Sequence, residues 1–164
     1  MLTRDQIRAL PKVALHEHLD GALRPATMLE LAADIGYQLP ASVPEQLDRW
    51  FVDAADSGSL VRYLETFAHT VAVMQTADQL RRVAREFVED SAADGVVYIE
   101  ARWAPEQHLA QGLTPHAAVL AVRDGLAEGM AAAAADGRAI VARQILTSLR
   151  HGEPTTQMAR LAIE

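Results

Sequence analysis

PKVALHEHLDGALRP (Pro11–Pro25) sets two histidines, a glutamate and an aspartate within five consecutive positions, after a short apolar run and just before a glycine. KVALHEHL reads as a strand, with Val13 and Leu15 on one face and Ala14, His16 and His18 on the other. Residues two apart on a strand share a face, so His16 and His18 direct two imidazoles into one space. Neutral imidazole is the commonest side-chain metal donor. The competing reading is a pair of polar residues on a solvated face. Asp20 and Gly21 favour the metal site, because a glycine there lets the backbone approach a ligand closely. Glu17, between the histidines, points away from them and is expected to face the helix layer or solvent.

Around this stretch the chain alternates. TRDQIRAL carries a capping box, Thr3 with Gln6, and predicts a short helix that Pro11 ends. RPATMLELAADIG predicts a helix with Pro25 near its start and Gly36 after its end. YQLPASVPEQLDRWFVDAADSG has two prolines and weak periodicity, and reads as a long loop with a helical turn around Trp50. In SLVRYLETFAHTVAVMQ, Leu60, Tyr63, Leu64, Phe67, Val71 and Met74 recur at helical spacing behind a Ser59 cap. Thr76 and Gln79 open another helix, closed by Gly95. VVYIEARW (Val96–Trp103) is a strand by its β-branched and aromatic content. An alanine-rich helix follows from Thr114 and Pro115, then a third strand over Ala139–Leu149 and the opening of a further helix in TTQMARLAIE.

Strand, helices, strand, helix, strand, helix is α/β alternation and implies parallel strands joined by helical crossovers. Three such strands do not close, and a (β/α)8 barrel takes about 250 residues. The sequence stops inside an element. The expectation is therefore one domain portion, residues 1–164, forming the N-terminal part of a (β/α)8 barrel, with His16 and His18 at the end of the first strand where active sites of that fold lie.

The 164 residues carry a net charge of −7, which argues against nucleic acid or an anionic membrane as partner. Cysteine is absent, which excludes disulfides and thiolate metal sites. No leader-like or membrane-spanning run is present, so a cytoplasmic location is expected. Two zinc motifs are excluded by residue type. Asp20 stands where a helical His-Glu-x-x-His would need its second histidine, and cytidine-deaminase-type sites need paired cysteines.

PKVALHEHLDGALRP resembles the signature that opens the adenosine deaminase family, Pro-Lys followed by His-x-His-Leu-Asp-Gly at the end of the first barrel strand. The resemblance continues in order through SGSLVRYLETFAHTVAVMQT, DGVVYIEARWAPEQH and ILTSLRH, and is strongest to the actinobacterial type. It implies that His16 and His18 are two ligands of a catalytic Zn²⁺, one per complete site. It implies that His18 and Asp20 contact a purine nucleoside, Asp20 through the ribose, and that Leu60, Tyr63, Leu64 and Phe67 belong to an apolar helix closing over the pocket; ordinary core packing is the alternative for that helix. It further implies that zinc lowers the pKa of a water toward ~7 for attack on C6 of adenine, with ammonia leaving to give inosine.

The family's third metal histidine, its general-acid glutamate in His-Ala-Gly-Glu, a second catalytic histidine and an Asp-Asp pair lie in later strands, and none of those motifs occurs in this sequence. No catalytic acid is therefore assigned here. Two imidazoles fall short of the usual three protein ligands, so the 164-residue chain alone is expected to be inactive. Rival readings are a deaminase of adenine or of other adenosine-like nucleosides, and a non-catalytic remnant prone to self-association through its sheet edges. Among other residues, Glu100 and Arg102 share a strand face and suggest an inward ion pair. Arg150 and His151 end the third strand as pocket-wall or strand-end polar residues. His69 is expected to be structural, and His108 and His116 solvated.

Overall fold

The computed structural model describes residues 2–149 and 156–163. Helix α1 (Arg4–Ala9) carries the expected Thr3–Gln6 capping box and leads into β1 (Lys12–His18). A 3-10 turn over Leu19–Gly21 follows, and then α2 (Pro25–Asp34), α3 (Pro44–Ala55), α4 (Leu60–Ala72) and α5 (Ala77–Ala93). Strand β2 (Val96–Trp103), α6 (Pro115–Ala135), β3 (Val141–Leu146) and α7 (Gln157–Leu161) complete the described elements. The sheet order is β1-β2-β3, both pairs parallel, which is the opening arc of a (β/α)8 barrel.

Two elements differ from the sequence expectation. Residues 44–55 form a full helix, because Pro44 occupies its first turn, where a missing N–H breaks no bond. Its apolar anchors, Leu47, Trp50, Phe51 and Ala54, fall at helical spacing, but only Leu47 and Ala54 are buried. Strand β3 is shorter than 139–149, since its ladder with β2 runs only from Val141 to Leu146.

The two faces of the sheet have different surroundings. Ile99, Ala101 and Trp103 on β2 are buried in the main core with Leu80, Val83, Phe87 and Val122 from α5 and α6. Tyr98, Glu100 and Arg102 alternate with them and lie on the opposite face, which also carries Val13, paired in register with Tyr98 and 60% exposed. The helix layer is held by a close approach of α6 to α5. A Cβ built on Gly125 would stand 2.2 Å from the Arg81 carbonyl oxygen, and one on Gly129 would stand 2.7 Å from that of Arg85.

Both carbonyls are helix backbone and cannot turn aside. Gly125→Ala therefore lowers the unfolding free energy by about 1–3 kcal/mol in a urea titration, opposing the gain of about 1 kcal/mol that helix propensity alone gives.

Candidate metal centre

Strand β1 does not run as a regular strand to its end. Between Ala14↔Ile99 and Glu17↔Ala101 it spends three steps where β2 spends two, which is a β-bulge of one residue. His16 sits in that bulge with φ +62°, the only non-glycine with positive φ among the described residues. The sequence expectation that Ala14, His16 and His18 share one face is corrected by this geometry. Ala14 packs toward the helices with Ile99, whereas His18 pairs with Arg102 on the open face. Glu17, in register with buried Ala101, points to the helix side, as expected.

The bulge still brings the two imidazoles together, with ring centroids 5.6 Å apart. His18 is held from two sides. Arg102 Nη1 donates to its Nε2 at 2.8 Å, and its Nδ1 lies 3.4 Å from Asp20 Oδ1. A guanidinium only donates, so this bond requires the lone pair on Nε2 and leaves the proton on Nδ1, facing the carboxylate. That tautomer suits metal ligation through Nε2, with Asp20 orienting the ring from behind. Arg102 and a metal ion use the same lone pair, so ligation there requires Arg102 to turn aside.

These donors fit zinc as a partial set: two imidazoles with centroids 5.6 Å apart, one in a tautomer that can ligate once Arg102 turns aside, and a carboxylate in the orienting position. Among the described residues no group of three or more His, Cys, Asp or Glu could hold a metal ion.

Asp20, in the 3-10 turn after β1, is 6% exposed. With His18, Leu64, Phe67, Arg102 and Trp103 it lines a recess of about 270 Å³. Phe67 presents its edge to the His18 ring at 6.3 Å. Tyr63 and Phe67 also wall an adjoining cavity of about 290 Å³ between α2, α3 and α4, which Asp20 borders. Leu60, 70% exposed, lines neither cavity. The alternative of ordinary core packing does not hold for Leu60, Tyr63 and Leu64, which are all exposed. Gly21 has positive clearance without special backbone: a Cβ there would lie 3.7 Å from that of His18, an ordinary contact.

Two residues differ from the sequence expectation. Arg102 does share a face with Glu100, but among the described residues no ion pair joins them; Glu100 accepts from the Tyr98 hydroxyl at 3.0 Å, and Arg102 goes to His18. His108 is fully buried rather than solvated. Its short 3-10 turn (Pro105–His108) has no periodicity that would have shown burial. Burial pushes its pKa down from 6.5, which the bond to the Met74 carbonyl and the charge of Asp20 partly oppose. His69 is half-buried, bonded to the Tyr37 hydroxyl and set edge-on to Trp50, and burial lowers its pKa as well. His116 is exposed, as expected. Arg150 and His151 lie outside the described residues.

The loops around the recess are fastened from below. The Gln75 amide nitrogen donates to the Val71 and Gln107 carbonyls, and its oxygen accepts from Ala110 N. The Glu106 carboxylate accepts from Ser148 Oγ and Leu149 N, tying the loop after β2 to that after β3.

Residues 11–164 match the profile of a family described as adenosine deaminase. The chain is 58% identical over 163 residues to an adenosine deaminase of Mycolicibacterium vanbaalenii, covering 99% of this chain and 45% of that protein. It is 55% identical over 159 residues to adenosine deaminase 1 of Streptomyces coelicolor, covering 96% and 40%. The chain thus spans less than half the length of these curated relatives. Among solved structures it resembles an N6-mAMP deaminase of Arabidopsis (TM-score 0.76, 28% identity, 97% of this chain and 48% of that one). It also resembles an amidohydrolase of Burkholderia ambifaria with bound zinc (TM-score 0.66, 31% identity, 87% and 37%).

Left-handed backbone at a β-carbon-bearing residue costs about 1–2 kcal/mol. His16→Gly is accordingly more stable than His16→Ala by about 1 kcal/mol in urea unfolding, while both variants lose the imidazole. The depressed pKa of His108 has a second consequence. Below pH ~6.5 the unfolded chain takes up a proton that the native imidazole refuses, so stability is present above that pH and falls as pH drops toward the lower native pKa. His108→Gln flattens the decline in urea midpoint between about pH 7 and pH 5.

Proposed function

The chain belongs to the adenosine deaminase family, and from that premise we propose that it supplies part of the active site of a cytoplasmic, zinc-dependent enzyme of purine salvage. The reaction replaces the 6-amino group of adenosine or deoxyadenosine with oxygen from water, releasing ammonia and inosine or deoxyinosine. The observation that carries this reading is the proximity of the His16 ring to His18, 5.6 Å away, with His18 lining one recess beside a buried carboxylate and an apolar helix. The four lie within residues 11–164, the span of the family match.

His16 and His18 would hold the metal. When bound, a Zn²⁺ supplies Lewis acidity and a water acidified toward ~7. Asp20 keeps the His18 ring in the ligating tautomer and, as an acceptor-only group, takes a hydrogen bond from a sugar hydroxyl. Leu64 and Phe67 cover the recess and exclude water from a purine seated there; Tyr63 backs Phe67 edge-on at 5.5 Å, and Leu60 extends the same apolar stripe outward. The general-acid glutamate and the remaining ligands would come from residues outside this sequence, so residues 1–164 form the first part of a single barrel domain. A small-molecule nucleoside is then the partner, with neither nucleic acid nor membrane. Among the described residues no helix is long and apolar enough to cross a membrane.

Substrate choice rests on two points. Relatives named adenosine deaminase are 52–58% identical, against 28% for the deaminase of a methylated nucleotide. Asp20 repels a phosphate and gives a sugar hydroxyl an acceptor, which favours a nucleoside over a nucleotide or a free base.

The test uses the protein at its natural length, with metal content measured alongside loss of adenosine. One zinc per chain and turnover are expected, and His18→Ala should remove the zinc and lower kcat/KM by roughly 100-fold or more. Residues 1–164 alone should show no turnover. Turnover surviving loss of the metal would overturn the metal reading, and preference for adenine or AMP would overturn the assignment of Asp20.

A further inference from the structure

Arg102 is half-buried and lines the recess together with Asp20 and Leu64. Its backbone is fixed by its buried neighbours Ala101 and Trp103 and by register with His18 on β1 and Ile145 on β3. A guanidinium is shaped to grip a carboxylate, yet among the described residues no carboxylate pairs with this one. Arg102 instead gives an Nη1 proton to the neutral Nε2 of His18, at 2.8 Å.

An unprotonated imidazole nitrogen has one lone pair, in the plane of the ring. Arg102 engages that of His18 from 2.8 Å, and a zinc ion on the same nitrogen stands about 2.0–2.1 Å away. Guanidinium and metal therefore exclude each other at Nε2. They also make the same demand on the rest of the contact. Each is a cation, and each needs the imidazole proton on Nδ1, which Asp20 Oδ1 faces from 3.4 Å. The order cation, imidazole, carboxylate is the same with Arg102 in first place as with a metal ion there.

We propose that Arg102 is a displaceable stand-in for the metal. In the metal-free protein its guanidinium holds His18 in the ligating tautomer, and a metal ion enters only when the guanidinium swings off Nε2. Arg102 thereby lowers metal affinity and slows loading, because only the molecules with Nε2 released are competent to bind. Hydrogen bonds from a charged donor are among the stronger ones, so the released fraction is about one tenth or less. That penalty is the same for every divalent ion, and ions that bind imidazole weakly are the first to fall below occupancy. The inference rests on the reading of His16 and His18 as metal ligands.

The experiment uses the protein at its natural length, stripped with a chelator and titrated with zinc against a competing metal-binding dye. Arg102→Met, which keeps the reach and loses the donor, should bind zinc about 10-fold tighter and load faster. Arg102→Lys keeps a cationic donor and should stay within about 3-fold of the wild type. Unchanged or weaker zinc binding by Arg102→Met overturns the proposal. If Arg102→Met fails to fold, crystal structures of the wild-type protein decide. They should show Arg102 within about 3 Å of His18 Nε2 in the metal-free form and off it in the zinc-loaded form. Arg102 away from His18 in the metal-free form, or on Nε2 in the loaded one, overturns the proposal. His18→Ala separates the two readings. Zinc content unchanged in that variant overturns the metal reading and this inference with it. Zinc lost there, with unchanged affinity in Arg102→Met, overturns this inference alone.

Discussion

One extra residue in β1 decides where the chemistry of this chain can lie. Without the bulge between Ala14 and Glu17, strict alternation would place His18 on the same side as Ala14, among the helices. With it, His18 comes round to the open face beside Arg102, and Glu17 takes the helix side in register with Ala101. The cost is concentrated at His16, whose left-handed backbone is unfavourable for any residue with a β-carbon. Strain of this kind persists where the surroundings over-determine it. Here the ladder does so on both sides of the bulge, through Ala14 with Ile99 and His18 with Arg102.

The ladder can hold that irregularity because β2 is itself immobilised. Its buried side chains, Ile99, Ala101 and Trp103, sit in the layer made by α5 and α6, where two glycines allow backbone to meet backbone. Trp103 is locked further by its bond to Gln144 on β3. The rigid helix layer thus fixes Arg102 from behind, and Arg102 fixes the His18 ring from the front. Charge pairing elsewhere serves the same layer: Arg24 bridges Glu86, Glu89 and Asp90, joining the start of α2 to the outer side of α5.

Much of this was legible in the sequence, for identifiable reasons. Capping boxes at Thr3 and Thr76 fixed helix starts, because their side-chain and backbone partners are three residues apart and need no tertiary context. The β-branched run in β2 was equally plain, and the doubled histidine marked the candidate site. What escaped depends on partners distant in the chain. The bulge is a property of the β1–β2 ladder, 84 residues apart at His18 and Arg102. His108 follows a proline in a turn too short for periodicity, and its burial comes from Trp103 and Met74 closing around it. The helix over Pro44–Ala55 has a local signal of its own. Leu47, Trp50, Phe51 and Ala54 carry the helical spacing, and the prolines that suggested a loop include the one that begins it.

The histidines of this chain also show how environment divides one side chain into several jobs. His18 and His108 each have a ring nitrogen whose partner dictates the tautomer, a guanidinium in one case and a carbonyl in the other. In both, the proton is driven to Nδ1 and the lone pair to Nε2. For His18 that lone pair lies at the half-exposed edge of a recess, where a cation can reach it once Arg102 turns aside. For His108 it lies in the interior, away from solvent. Asp20 lies 3.4 Å from His18 Nδ1, and its charge partly opposes the lowering of the His108 pKa. Beyond the His18 ring the buried carboxylate does not have a full set of hydrogen bonds of its own. That leaves acceptor capacity on Asp20 for a group arriving from the recess, which a fully satisfied buried aspartate would lack.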